Sequence, residues 1–154
     1  MKIKMLVMDV DGTLTDGCIY MGPNGEAMKA FHCKDGAGIN NILPNLGIIP
    51  VIITGRSSQI LENRCKELHI THLYQGISDK LPKLKALAGE MGITAEEIAY
   101  IGDDLNDLDC ILYSGLTACP NDAVDGIREN VDYICKLDGG RGAVREFIDH
   151  IAKL

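Results

Sequence analysis

The sequence has no Cys-x-x-Cys pair, no long apolar run and a shortage of positive charge, and each lack removes a class of function. Its six cysteines, Cys18, Cys33, Cys65, Cys110, Cys119 and Cys135, are widely spaced. Several stand among apolar residues, so they read as reduced core thiols of a cytoplasmic protein rather than a disulfide or zinc framework. His69 and His72 flank a turn into a strand and do not repeat the ligand spacing of a zinc site. No stretch approaches the ~20 apolar residues of a membrane span, and Asp9 comes too early for a secretory segment. Fifteen Lys and Arg against 22 Asp and Glu leave a net charge of −7, which argues against nucleic acid as a partner. The same charge opposes an anionic ligand, so affinity for one must come from local cations. There is no internal repeat, low-complexity tract or linker. Residues 1–154, 46 % of them hydrophobic, form one domain with a sizeable core.

What the chain does have is paired acid at a strand end. Ile3 to Met8 is a short continuous apolar run that stops at Asp9-Val10-Asp11-Gly12-Thr13, the pattern of a buried strand entering a tight turn. If Asp9 and Asp11 are both extended, the period of two sends their carboxylates to one side. Two such carboxylates repel unless a cation or a shared proton relieves them. A second run, Ile98 to Ile101, ends in Gly102-Asp103-Asp104, with Asp107 three residues on. In a parallel sheet the loops leaving the carboxyl ends of neighbouring strands meet at one edge. Asp9, Asp11, Asp103 and Asp104 then converge on a hard cation, and oxygen donors suit Mg²⁺. Asp104 and Asp107 also open a helix, where they complement its dipole whether or not a metal is near.

Two further strand-end signals lie between the clusters. Val51-Ile52-Ile53 runs into Thr54-Gly55-Arg56, a hydroxyl and backbone amides at a helix start, which suit a phosphoryl group. Ser78-Asp79-Lys80 places a cation before a helical stretch. Each has a plainer reading as a cap or a surface charge.

In this order the four signals, DVDGT, ITGR, SDK and GDDLND, resemble the haloacid dehalogenase superfamily of phosphotransferases. The resemblance covers nearly the whole chain and is strongest to a small branch without a cap domain whose members remove phosphate from eight- and nine-carbon sugar acids. DVDGTLTDG, KDGAGI, ITHLYQG and GGRGAVRE support it. It implies a three-layer α/β fold with a parallel sheet, helices on both faces and a β-hairpin extension. It implies Asp9 as nucleophile and Asp11 as general acid and base. It implies Mg²⁺ held by Asp9, the main-chain carbonyl of Asp11, and Asp103, with Asp104 and Asp107 behind them and Asp104 orienting Lys80 or a metal-bound water. It implies that Thr54, Gly55 and Lys80 hold the phosphoryl group and that Arg56 and Arg64 face the sugar acid. Arginine at position 56 favours the eight-carbon substrate over nine-carbon nonulosonate phosphates. Arg64 has a competing reading as a surface partner of Glu62 or Glu67. The resemblance also implies a homotetramer in which the hairpin, and the tail from Gly139 to Gly142, cover a neighbouring site.

The remainder alternates strands with helices, the signature of a covered parallel sheet. Ser57 is placed to cap a helix with Ile60, Leu61, Cys65 and Leu68 buried. Leu81, Leu84, Leu87, Ala88 and Met91 stripe a second helix, with Pro82 in its first turn. Thr94 and Glu97 have capping-box spacing. Leu116 to Cys119 and Tyr133 to Cys135 read as strands, and Val144, Phe147, Ile148 and Ile151 as one face of a final helix. Residues 18–31 read as a hairpin turning at Asn24-Gly25, both with positive φ. Pro44 falls inside the otherwise helical stretch 37–46, where it marks an end or a kink. From Gly17 to Val51 there is room for the hairpin and one helix, and from Thr54 to Lys80 for one helix and one strand, which excludes a large cap.

Overall fold

The computed structural model describes residues 2–154. The strands are β1 (Met5–Met8), β2 (Tyr20–Gly22), β3 (Gly25–Met28), β4 (Ile49–Ile53), β5 (His72–Tyr74), β6 (Ile98–Ile101), β7 (Leu116–Cys119) and β8 (Tyr133–Ile134). The helices are α1 (Cys33–Ala37), α2 (Leu43–Leu46), α3 (Gln59–Glu67), α4 (Lys80–Met91), α5 (Leu108–Tyr113), α6 (Asp125–Arg128) and α7 (Ala143–Ile151). Six strands make one parallel sheet in the order β5-β4-β1-β6-β7-β8, and β2 and β3 pair antiparallel as a separate hairpin.

The continuous apolar runs follow from burial on both faces. Met5, Val7, Val51, Ile53, Ile98 and Tyr100 face one layer with Leu84 and Leu87 of α4, Cys110 and Ile111 of α5, and Ile127 of α6. Leu6, Met8, Ile52, Ala99 and Ile101 face the other, with Leu61 and Cys65 of α3 and the full apolar stripe of α7. The sheet is therefore the middle of three layers, without a cap domain among the described residues.

Register levels the site. Met8 lies opposite both Ile52 and Ile101, so β1, β4 and β6 end together. Strand order also reverses about β1, with β4 and β5 on one side and β6 to β8 on the other. Such a reversal opens a crevice at the carboxyl edge.

Two local expectations change, and two gain detail. Ser58, not Ser57, caps α3: its Oγ accepts from the Leu61 amide at 3.4 Å. The hairpin pairs Gly22 with Gly25 across Pro23-Asn24, and positive φ falls on Gly25 (110°) but not on Asn24. The chain accommodates Pro44 by a π turn over Gly38–Ile42, after which α2 begins with Pro44 in its first turn. There a missing N–H removes no helical hydrogen bond. Finally, Gly139 and Gly140 pack on this chain's own first loop rather than only opening α7. A Cβ at Gly139 would overlap the Gly12 carbonyl, and the Gly140 amide donates to the Thr13 carbonyl at 3.1 Å. The capping box of Thr94 and Glu97 is present as expected.

Candidate active site

Asp9 follows the end of β1, and its amide donates to the Ile101 carbonyl at 3.1 Å, fixing the loop to β6. Its side chain is buried. The first residue of α4, Lys80, reaches across the sheet end and donates to Asp9 Oδ1 and Asp107 Oδ1, both at 2.8 Å. Asp107 Oδ1 also accepts from the Tyr100 hydroxyl at 2.6 Å, while Oδ2 accepts from the amides of Asp103 (3.1 Å) and Asp104 (3.3 Å). Burial disfavours the Lys80 ammonium, but Asp9 and then Asp107 outweigh it and raise its pKa. Lys80 is thus a permanent internal cation.

Carboxylate crowding has the opposite effect. Burial first, then the charge of Asp107, raises Asp9 against the pull of Lys80. Burial, a hydrogen bond shared with Asp9 and its charge push Asp103 up to about 9. Thr13 Oγ1 donates to Asp103 Oδ1 at 3.2 Å. Two glycines make room: a Cβ at Gly12, whose φ is +92°, would overlap the Asp103 carboxylate, and one at Gly102 would overlap that of Asp107.

Oxygen atoms of Asp9, Asp103 and Asp107 lie within 4.8 Å of one another. Asp107 is already filled by four donors, so Asp9 and Asp103 are the carboxylates open to a cation. An all-oxygen pair whose mutual repulsion demands a proton or a cation fits a hard divalent ion. The Asp11 carboxylate lies outside this trio: Lys29 Nζ donates to its Oδ1 at 2.7 Å, and Arg56 Nε lies 3.9 Å from Oδ2. The extended backbone that would alternate the side chains ends at Met8, and residues 11–14 are a turn, yet Asp9 and Asp11 line one cleft.

Asp9, Asp11, Thr54, Gly55, Arg56, Asp104 and Asn106 line an open cleft of about 180 Å³. The Thr54 amide is spent on the Tyr74 carbonyl at 3.0 Å, which leaves its hydroxyl. Arg56 is half exposed and lies 3.5 Å from Glu26 of the hairpin. Arg64 does not join the group: its Nη1 donates to Glu67 at 3.2 Å and its guanidinium lies over Phe31 at 5.6 Å. Asp104 lines the cleft but is exposed, and its Oδ1 accepts from the Leu105 amide at 2.7 Å. Asp107, not Asp104, is the carboxylate that holds Lys80. Sequence reading missed Tyr100, which looks like any apolar strand residue, and Lys29, which no local pattern ties to Asp11.

A family model for haloacid dehalogenase-like hydrolases matches residues 69–148. The 3-deoxy-D-manno-octulosonate 8-phosphate phosphatase of Escherichia coli K12 is 47 % identical over 148 residues, covering 96 % of this chain and 78 % of that one. This chain belongs to the haloacid dehalogenase-like hydrolases. Among solved structures of such hydrolases, the octulosonate 8-phosphate phosphatase of Moraxella catarrhalis, with magnesium, phosphate and KDO, superposes with a TM-score of 0.94. It is 44 % identical, with 98 % of this chain and 86 % of that one covered. The cobalt-bound deoxy-D-mannose-octulosonate 8-phosphate phosphatase of Haemophilus influenzae gives 0.95 at 39 % identity, covering 99 % and 88 %.

Proposed function

We propose that this hydrolase removes phosphate from 3-deoxy-D-manno-octulosonate 8-phosphate with Mg²⁺, through an aspartyl-phosphate on Asp9. The observation that carries the reading is the buried Asp9 carboxylate, tied to Lys80 at 2.8 Å and opening on a cleft walled by Thr54, Gly55 and Arg56. Asp9, the main-chain carbonyl of Asp11 and Asp103 would hold Mg²⁺, which supplies neutralising charge toward the phosphate oxygens. Asp9 attacks phosphorus as the bond to the sugar oxygen breaks. Asp11 gives its proton to that oxygen, then takes one from the water that attacks the aspartyl-phosphate, releasing inorganic phosphate and restoring Asp9. The Thr54 hydroxyl, Gly55 backbone and Lys80 hold the phosphoryl oxygens, which need position and charge neutralisation more than covalent help.

Arg56, half exposed at the rim, suits the carboxylate of the sugar acid through its planar fork. Arg64, outside the cleft, packs α3. A homotetramer fits the hairpin, where Ile19, Tyr20, Met21 and Met28 are exposed large apolar residues. The cytoplasm suits six free thiols, and no helix among the described residues is long and apolar enough to cross a membrane.

The test is phosphate release from octulosonate 8-phosphate, nonulosonate 9-phosphates and hexose phosphates, with Mg²⁺ and with chelator. Mg²⁺-dependent preference for the eight-carbon acid is expected. Preference for a nine-carbon acid overturns the substrate, and turnover by Asp9→Asn in a clean preparation overturns the nucleophile. Sedimentation velocity tests the tetramer, and a monomer at working concentration excludes it.

A further inference from the structure

The end of the hairpin carries a lysine that reaches into the catalytic loop. Lys29 follows β3, and its side chain is 3 % exposed although the hairpin itself is largely open to solvent. Its ammonium is 2.7 Å from Asp11 Oδ1 and 3.0 Å from Glu26 Oε2. Glu26 is fixed in turn: Oε1 accepts from Ser58 Oγ at 2.7 Å, and Oε2 lies 3.5 Å from Arg56 Nη2. A chain of contacts therefore runs from the cap of α3 through Glu26 and Lys29 to Asp11. Burying so flexible a side chain costs rotamer entropy and desolvation, and both its partners are carboxylates.

We propose that Lys29 is a positioning residue for Asp11, pinning Oδ1 so that the other oxygen faces the cleft, and stabilising the carboxylate that appears as the proton leaves. The inference rests on the reading of Asp11 as general acid. In that step the phosphorus–oxygen bond to the sugar breaks and the Asp11 proton moves to the departing oxygen, leaving Asp11 charged beside the ammonium. A cation held there by the hairpin lowers the barrier most when the departing oxygen is basic and needs the proton early.

The leaving group is therefore the probe. kcat/KM is measured for octulosonate 8-phosphate, an alkyl ester, and for 4-nitrophenyl phosphate, whose departing phenolate needs little protonation. For Lys29→Met the alkyl-to-aryl ratio is expected to fall about tenfold or more, a fraction of what general acid catalysis supplies, through kcat rather than KM. Lys29→Arg should restore most of the ratio. Glu26→Gln, which disturbs the same hairpin but leaves a cation beside Asp11, should hold the ratio within about threefold. Equal losses on both substrates, no loss on either, or the same ratio change in Glu26→Gln would each overturn the proposal. Asp11→Asn separates it from its premise: if that variant shows no leaving-group dependence, the reading of Asp11 has failed rather than the role of Lys29.

Discussion

The protein buries ionic groups in two places, and they are built to opposite standards. At the carboxyl edge, Lys80, Asp107 and Tyr100 form a closed set in which both Asp107 oxygens carry two donors each. On the other face, between α1 and α3, Asp35 and Arg64 line a cavity of about 10 Å³ with Phe31, Leu61 and Leu68. There Asp35 Oδ1 accepts from the Arg145 amide at 2.9 Å, but Asp35 Oδ2 and Arg64 Nε, both buried, have no partner among the described residues. Both places bring acid and base together, so charge type does not separate them. The source of the donors does. Strand ends and a helix start supply rigid donors to Asp107, whereas two side chains on separate helices must meet by packing alone. A saturated network holds its charges in one geometry, which suits chemistry. An unsaturated one raises the cost of remaining charged.

The largest test of that contrast is Lys80→Met. It strands two buried carboxylates and is expected to cost about 3–5 kcal/mol in urea unfolding, along with turnover. A cost under about 1 kcal/mol would mean the cluster is not the closed unit described.

Asp35 gives the next effect, with a sign fixed by titration. Burial, partly offset by the Arg145 amide, moves its carboxyl from 3.8 to about 6. A raised carboxyl pKa favours the protonated fold, so this contribution is full below pH 3.8 and is lost as pH rises through about 6. The interval is worth at most about 3 kcal/mol. Asp35→Asn should therefore gain stability relative to the parent between pH 4 and 7 when thermal midpoints are compared. Parallel pH profiles for the two proteins would remove Asp35 from the contrast.

Smaller again is Tyr100→Phe, which takes one hydrogen bond of 2.6 Å from Asp107 at a cost of about 1.5–3 kcal/mol, as for bonds to charged groups. Its activity should fall less than that of Lys80→Met. The smallest is Arg64→Met, which deletes an unpartnered buried atom while keeping a long stem over Phe31. Its stability is expected to stay within about 1 kcal/mol, and kcat/KM for the sugar phosphate close to the parent's. A large rise in KM would return Arg64 to the substrate.

The carboxyl edge as a whole was also the more legible of the two places in sequence. Asp9, Thr54, Lys80 and Asp103 each sit at the end or start of an element whose apolar pattern is local, and a parallel sheet forces those ends together. Asp107 showed as the third residue of a helix start, but its grip on Lys80 depends on the turn after β6, which spacing alone assigns as readily to Asp104. Tyr100 was invisible because a buried strand hides the one polar atom it carries. Lys29 and Glu26 were invisible for another reason: the hairpin's course back over the cleft is set by packing, not by periodicity. The Asp35–Arg64 cavity left no trace in sequence, since a missing contact has no pattern.

The fit of Gly139 and Gly140 against the first loop bears on the order in which the molecule becomes competent. Asp9 precedes by about 130 residues the backbone that closes its loop on one side. A nascent chain emerging from the ribosome thus carries all four acidic and cationic motifs well before it carries a site. Catalytic power would arrive in a single late step, when the segment before α7 docks, rather than accumulating as the sheet grows.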